Sequence, residues 1–217
     1  MIKVINYTHE PLSLMGEVAS FCWNSKPSKD IAIKCIKSNH GRVLEFSDVI
    51  VSIEGYSARM IRELFRHQVG TSFLQESTRY VDCSHFNYYY PNGMKQNDES
   101  YNIYERCMKD IQNAYQDLVE LKIIPKEDIA NILPLGMMTK VVYKINLRAI
   151  LHLFELRTCT RACVEFRSFM EELRIVLSNL DDDWKYIIDN FAKIKCEVHG
   201  YCSEEHSCGK VKNRIKE

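Results

Sequence analysis

The 217-residue chain carries 29 lysines and arginines against 29 aspartates and glutamates, so its formal charge is zero. This balance does not support a nucleic-acid binder, whose affinity rests on phosphate neutralisation; it fits a small, focused anion site. A hydrophobic content of 46% excludes a disordered chain, and the apolar runs are too short for a membrane span. The nine cysteines, odd in number and with no secretory leader read ahead of them, predict reduced thiols in a cytoplasmic protein.

The segment Met1 to Tyr7 reads as a first strand. Leu12–Trp23 and Ser28–Asn39 read as helices. Phe46–Glu54 alternates, with Val49, Val51 and Ile53 on one face and Asp48, Ser52 and Glu54 on the other, as a half-buried strand does. Gly55 is expected to end that strand, and Ser57 to cap a helix reaching His67. A polar loop, Gln68–Glu76, and a tyrosine-rich extended segment, Tyr80–Tyr90, precede a turn at Pro91-Asn92-Gly93. Further helices are expected over Glu99–Lys122 and Lys126–Leu133, then a strand over Thr139–Asn146 with Val141, Tyr143 and Ile145 facing inward. Helices over Leu147–Leu156, Arg161–Leu180 and Asp182–Ile194 complete an α+β chain, with a central, mostly antiparallel sheet flanked by helices. Residues 1–195 read as one domain and 196–217 as a basic tail containing Cys and His.

Two stretches concentrate chemistry. Arg59, Arg62 and Arg66, at i, i+3 and i+7, stripe one helix face. Their planar forks suit phosphate or carboxylate, although a solvated face is the competing reading. Thr71, Ser72, Gln75, Glu76, Ser77, Thr78 and Arg79 then supply hydroxyls, an amide, a carboxylate and a guanidinium for the edges of a polar planar ligand. In the second stretch Arg148, His152 and Glu155 share one side of a helix, while Asn146, Ile150, Leu153 and Arg157 share the other. Arg157 thus closes an apolar face, where a desolvated guanidinium needs a partner; an arginine meeting the helix C-terminal dipole is the alternative. In the tail, Cys196, His199, Cys202, His206 and Cys208 are a weak zinc candidate set, since their spacing lacks a second clean pair. Exposed thiols are the simpler reading.

The run Arg66-His67-Gln68, Ser72 and Gln75-Glu76-Ser77-Thr78-Arg79-Tyr80 resembles the signature of the flavin-dependent thymidylate synthases. A second block, Asn146-Leu147-Arg148, His152 and Glu155-Leu156-Arg157, continued by Ala162, Glu165 and Arg167, is similar to another stretch of that family. Leu133-Pro134-Leu135, His40 and Leu44-Glu45 match smaller landmarks. The resemblance implies the family's α+β fold and a homotetramer with shared active sites. It also implies reductive methylation of dUMP to dTMP with FAD, NADPH and methylenetetrahydrofolate. Carried over, Glu63, Arg66, Glu76, Ser77, Thr78, Arg79 and Arg157 would contact dUMP, with Arg157 at the uracil as the catalytic residue. Glu45, Arg66, His67, Gln68, Glu76, Asn146, Arg148 and His152 would contact FAD. The chain departs from the pattern at Gln68, at Glu63 and Arg42, in a loop one residue longer near Val69-Gly70-Thr71, and at Ala130-Asn131, where the family carries an arginine. The departures keep two alternatives open: a flavin-dependent alkyl or hydroxymethyl transferase on another pyrimidine nucleotide, or a non-catalytic nucleotide-binding relative.

Overall fold

A computed structural model describes residues 1–212; the last five residues of the expected tail, 213–217, lie outside the described residues. In chain order the elements are β1 (Ile2–Tyr7), α1 (Pro11–Trp23), α2 (Lys29–Lys37), α3 (Gly41–Leu44), β2 (Asp48–Ser57), α4 (Ala58–Leu64) and β3 (Thr71–Gln75). A 3-10 turn (Asn92–Gln96), α5 (Asp98–Glu120), α6 (Lys126–Ile129) and a second 3-10 turn (Ala130–Ile132) follow. Then come β4 (Met138–Asn146), α7 (Leu147–Arg157), α8 (Val164–Ser178), α9 (Asp182–Phe191) and α10 (Lys195–His199). Among the described residues no helix is long and apolar enough to cross a membrane.

The strands form one sheet in the order β1-β2-β4-β3. Hydrogen bonds Glu54 N–H to Met1 O and Thr8 N–H to Asp48 O run β1 and β2 in opposite directions. The pairs Ala58–Met137 and Leu147–Ser47 do the same for β2 and β4, and Asn146–Gly70 and Glu76–Lys140 for β4 and β3. Alternation matches burial: Val49, Val51 and Ile53, like Val141, Tyr143 and Ile145, are almost wholly buried.

The helix starts follow from side-chain caps. Ser57 accepts the Met60 N–H at 3.1 Å, Asn146 that of Ala149 at 3.0 Å and Asp181 that of Trp184 at 2.9 Å. The described residues divide into two compact units, the first comprising Met1, 53–66 and 73–142, and the second comprising 2–52, 67–72 and 143–212. The first unit packs Tyr115 and Met108 of α5 with Phe86, Cys83, Ile129 and Met137. In the second, Phe154, Phe166, Phe169, Leu173, Trp184 and Ile188 are buried. Burying an aromatic side chain of this size stabilises by roughly 1.5–3 kcal/mol.

Four sequence expectations need correction. β2 continues through Gly55, which adopts φ +82° without a Cβ penalty while the neighbouring ladders persist. The helix expected to reach His67 stops at Leu64, where the ladder tightens to an i→i−3 bond, Arg66 N–H to the Glu63 carbonyl at 3.3 Å. The polar loop contains β3, an edge strand whose exposed, weakly alternating residues give no period-2 signal. The helix expected from Arg161 begins at Val164, since Arg167 Nη1 holds the Thr160 and Ala162 carbonyls in a turn at 2.6 and 3.0 Å. Within the tail, Lys195–His199 fold as α10 in the second unit.

Two phenols should mark the folded state. Burial pushes the Tyr88 phenol up to about 12, with the Glu105 carboxylate accepting its hydrogen bond at 3.0 Å. Burial does the same to Tyr143, also to about 12. A raised folded value makes the stability these tyrosines contribute complete below an unfolded value of about 10, and it is lost as pH rises through about 12. Spectrophotometric titration is expected to show these two phenolates forming last and with alkaline unfolding; a single phase near the free-tyrosine value would contradict it.

Candidate active site

Asn146 leaves β4 as the cap of α7, and the helix carries Arg148, His152 and Arg157 in the second unit. Ile150, Leu153 and Phe154 of α7 are fully buried, whereas Arg148 and His152 are exposed, as the helical wheel predicts. Arg148 Nη1 lies 2.7 Å from Glu45 Oε1, and Arg42 Nη1 lies 2.9 Å from the other carboxylate oxygen. The hydrogen-bonded Arg148 guanidinium, with Arg42 beside it, holds the Glu45 carboxyl below the usual carboxylate range. Gly41 permits this arrangement, since a Cβ there would stand 2.6 Å from Arg148 Nε.

Arg157 ends α7 half-buried. Its Nε donates to His67 Nε2 at 2.9 Å, and its guanidinium lies over the Phe166 ring at 4.9 Å. An acceptor at Nε2 assigns the proton of His67 to Nδ1. The His67 ring stands 6.3 Å from that of His152 and 6.4 Å from that of Phe166, and its carbonyl accepts the Tyr143 hydroxyl at 3.4 Å. His152 in turn lies 3.9 Å from Glu155. The approach of Gly70 to Asn146 is close: its N–H···O ladder bond measures 2.9 Å, and at φ +77° a Cβ on Gly70 would meet the Asn146 amide at 2.5 Å. Glu45, His67, Gln68, Asn146, Arg148, His152 and Arg157 therefore all belong to the second unit, with Gln68 exposed beside His67.

Glu63, Arg66, Glu76, Ser77, Thr78 and Arg79 belong to the first unit. Because α4 ends at Leu64, Arg66 lies in the following turn, so the expected three-arginine helical stripe is broken; Arg59, Arg62 and Arg66 are all exposed. Residues 77–80 form a turn in which the Ser77 hydroxyl accepts the Arg79 N–H at 3.3 Å. Arg79 Nε pairs with Glu127 at 2.9 Å, both side chains exposed. Asn131, where the resembling family has arginine, turns its amide onto the Glu127 and Asp128 carbonyls at 3.2 and 3.0 Å. Glu76 also borders a cavity of about 400 Å³ in this unit, lined by Lys140, Glu54, Cys83, His85 and Met137 among others.

Sequence reading missed Glu127 as the partner of Arg79 and Phe166 as the surface under Arg157. Neither had a spacing signal, since both contacts join distant stretches. The walls of the 400 Å³ cavity were also missed. Asp82-x-Ser84 was a usable sign there: Asp82 accepts the Ser84 N–H at 2.9 Å and its hydroxyl at 2.6 Å, which holds the carboxyl below its usual range. Of the zinc candidate set, Cys196, Cys202, His206 and Cys208 line one small cavity, whereas His199 is not among its walls. Among the described residues no three His, Cys, Asp or Glu stand as metal ligands. His199 instead packs against Tyr201 with ring centroids 6.0 Å apart.

The family described as thymidylate synthase complementing protein matches residues 3–180. A flavin-dependent thymidylate synthase of Nitratidesulfovibrio vulgaris is 29% identical, covering 96% of this chain and 94% of that protein. One from Pyrococcus furiosus is 27% identical, covering 94% and 89%. Among solved structures, thymidylate synthase X of Helicobacter pylori with FAD and dUMP shares the fold at a TM-score of 0.69 and 19% identity, covering 88% of this chain and 98% of that one.

Proposed function

Since the chain belongs to the thymidylate synthase complementing protein family, we propose that it is a flavin-dependent thymidylate synthase, converting dUMP to dTMP with FAD, NADPH and methylenetetrahydrofolate. One observation carries this reading: Arg157 and His67, 90 residues apart in sequence, meet at 2.9 Å beside Phe166. The donor chemistry of the second unit fits a flavin nucleotide. Arg148 and His152 offer exposed cationic and imidazole donors for phosphates, and Asn146 and His67 offer polar edges beside an aromatic wall. In the second unit Glu45, His67, Gln68, Asn146, Arg148 and His152 would hold the FAD, which supplies the reducing equivalents that complete the methyl group.

The protein's own part is electrostatic. Glu63, Arg66, Glu76, Ser77, Thr78 and Arg79 would hold the nucleotide, its phosphate drawing Arg79 from the exposed Glu127 at little cost. Arg157 lies against the uracil and stabilises the ring as it gains electron density, without having to titrate. Phe166 and His67 fix the guanidinium plane before the base arrives. The assembly is a homotetramer with shared active sites. Exposed apolar side chains, including Phe21, Val69, Leu74 and Tyr80, support burial against further copies.

Purified protein is expected to be yellow and to release label from ring-tritiated dUMP only with methylenetetrahydrofolate and NADPH. A colourless protein sinks the reading; flavin binding without release from dUMP transfers it to another pyrimidine nucleotide. Gly41→Ala tests the Arg148 pocket. The added Cβ needs only the mobile guanidinium to move, so melting is expected to change little while FAD affinity drops several-fold in a fluorescence titration. Unchanged FAD affinity would remove Arg148 from the flavin site.

A further inference from the structure

Cys159, Cys196, Cys202 and Cys208 line one cavity of about 100 Å³ in the second unit, together with His206. Three of these thiols lie beyond residues 3–180, the span matched by the family model. As placed, its groups do not surround a cation site, because among the described residues no three such side chains are arranged as ligands. The chemistry they offer is thiol to thiol.

The four cysteines are not equivalent. Cys208 is exposed, whereas Cys196 and Cys202 are half-buried. Hydrogen bonds from the Lys210 backbone and the Thr160 side chain, with the Lys210 charge nearby, pull the Cys208 thiol below the ordinary cysteine value. Burial pushes Cys196 up, and Cys202 and Cys159 stand close enough to act on it electrostatically. Lys210 feels both Cys196 and Cys208, and is held by Glu197 at 2.9 Å. The loop is pinned at two further points, Arg161 to Glu204 at 3.0 Å and Cys202 N–H to the Lys212 carbonyl at 3.0 Å. An exposed thiol thus shares one cavity with two less accessible ones, which is the layout of an attacking and a resolving cysteine.

We propose that this cluster is a dithiol redox site: Cys208 takes up a small-molecule disulfide of the glutathione type, and Cys196 or Cys202 resolves it into an intrachain disulfide. The Cys208 thiolate attacks one sulfur of the oxidant, whose S–S bond breaks and whose first half leaves as a thiolate that takes a proton. The resolving cysteine gives up its proton and attacks Cys208 Sγ, expelling the second half as a thiol. Two protein thiols are oxidised and one oxidant disulfide is reduced to two thiols. Closed through Cys196 the bond staples α10 to the loop that follows it, and closed through Cys202 it ties that loop to itself, in either case independently of the flavin reading.

Brief alkylation of the full-length protein with iodoacetamide, read by peptide mass, is expected to label Cys208 about 10-fold faster than the exposed Cys22 and Cys107. Titration with oxidised glutathione should then yield a Cys208–Cys196 or Cys208–Cys202 link within one chain. Cys208→Ser should abolish that link. The double variant Cys196→Ser with Cys202→Ser should leave glutathione trapped on Cys208. Equal alkylation rates, or wild-type protein that carries only mixed or intermolecular disulfides, would overturn the proposal. So would tightly held stoichiometric zinc that shields the four thiols, and both readouts on the unmutated chain are independent of whether a variant folds.

Discussion

Arg157→Lys is expected to lower kcat for tritium release about 10²- to 10³-fold, the loss typical of removing a preorganised donor aimed at developing charge. Lysine keeps the positive charge, so a generic cation would survive this change. It cannot keep the geometry. Arg157 donates through Nε to His67 at 2.9 Å while its plane rests on Phe166 at 4.9 Å. Those attachments fix the plane of the guanidinium, which a single ammonium on a flexible stem does not reproduce. The side chain is half-buried at the last position of α7, so stability should change by only about 1 kcal/mol from altered packing and dipole contacts. The test is a comparison of kcat at saturating dUMP with the melting temperature of each protein. A lysine variant with undiminished kcat would reduce the guanidinium to a structural cap and remove it from the chemistry.

How far the sequence revealed this can be judged residue by residue. The inward faces of β2 and β4 were legible because each alternates over several residues, and burial of Val49, Val51 and Ile53 follows that period. Ser57 was legible as a cap because its hydroxyl does a local job, accepting the Met60 N–H. The apolar setting of Arg157 was legible from helical spacing alone. Phe166 and His67, which complete that setting, were not, because spacing within one helix carries no information about a ring contributed from elsewhere. β3 was hidden for a related reason: its backbone is satisfied by β4, while its side chains stay exposed and so need no alternation. The early end of α4, closed by an Arg66 N–H to Glu63 carbonyl bond, was hidden because helix propensity does not weigh where the last turn tightens. In the tail, the spacing of Cys196, His199, Cys202, His206 and Cys208 gave a weak zinc candidate beside the simpler reading of exposed thiols, and spacing could not show that Cys159, from a distant stretch, lines the same cavity.

His67→Phe should reduce kcat/KM for dUMP about 10- to 100-fold, from the loss of a hydrogen bond to a charged group valued at about 1.5–3 kcal/mol, even though the imidazole is not the group proposed to meet the base. Phenylalanine keeps a flat ring near Phe166 and His152 but offers Arg157 no acceptor. His67→Gln restores one and should recover much of the loss, which a merely space-filling role for residue 67 would not produce. The same bond makes a directional statement about pH. Nε2 accepts from Arg157 only while the imidazole is neutral; protonation removes the lone pair and sets a second cation against the guanidinium. Arg157, His152 and Phe166 face the ring, and the Tyr143 hydroxyl meets its carbonyl. Activity should therefore fall on acidification as this imidazole protonates, and the glutamine variant should flatten that limb while leaving the alkaline side in place. If wild type and His67→Gln share one acid limb, the proton belongs to another group and the Arg157–His67 bond does not set the working form of the site.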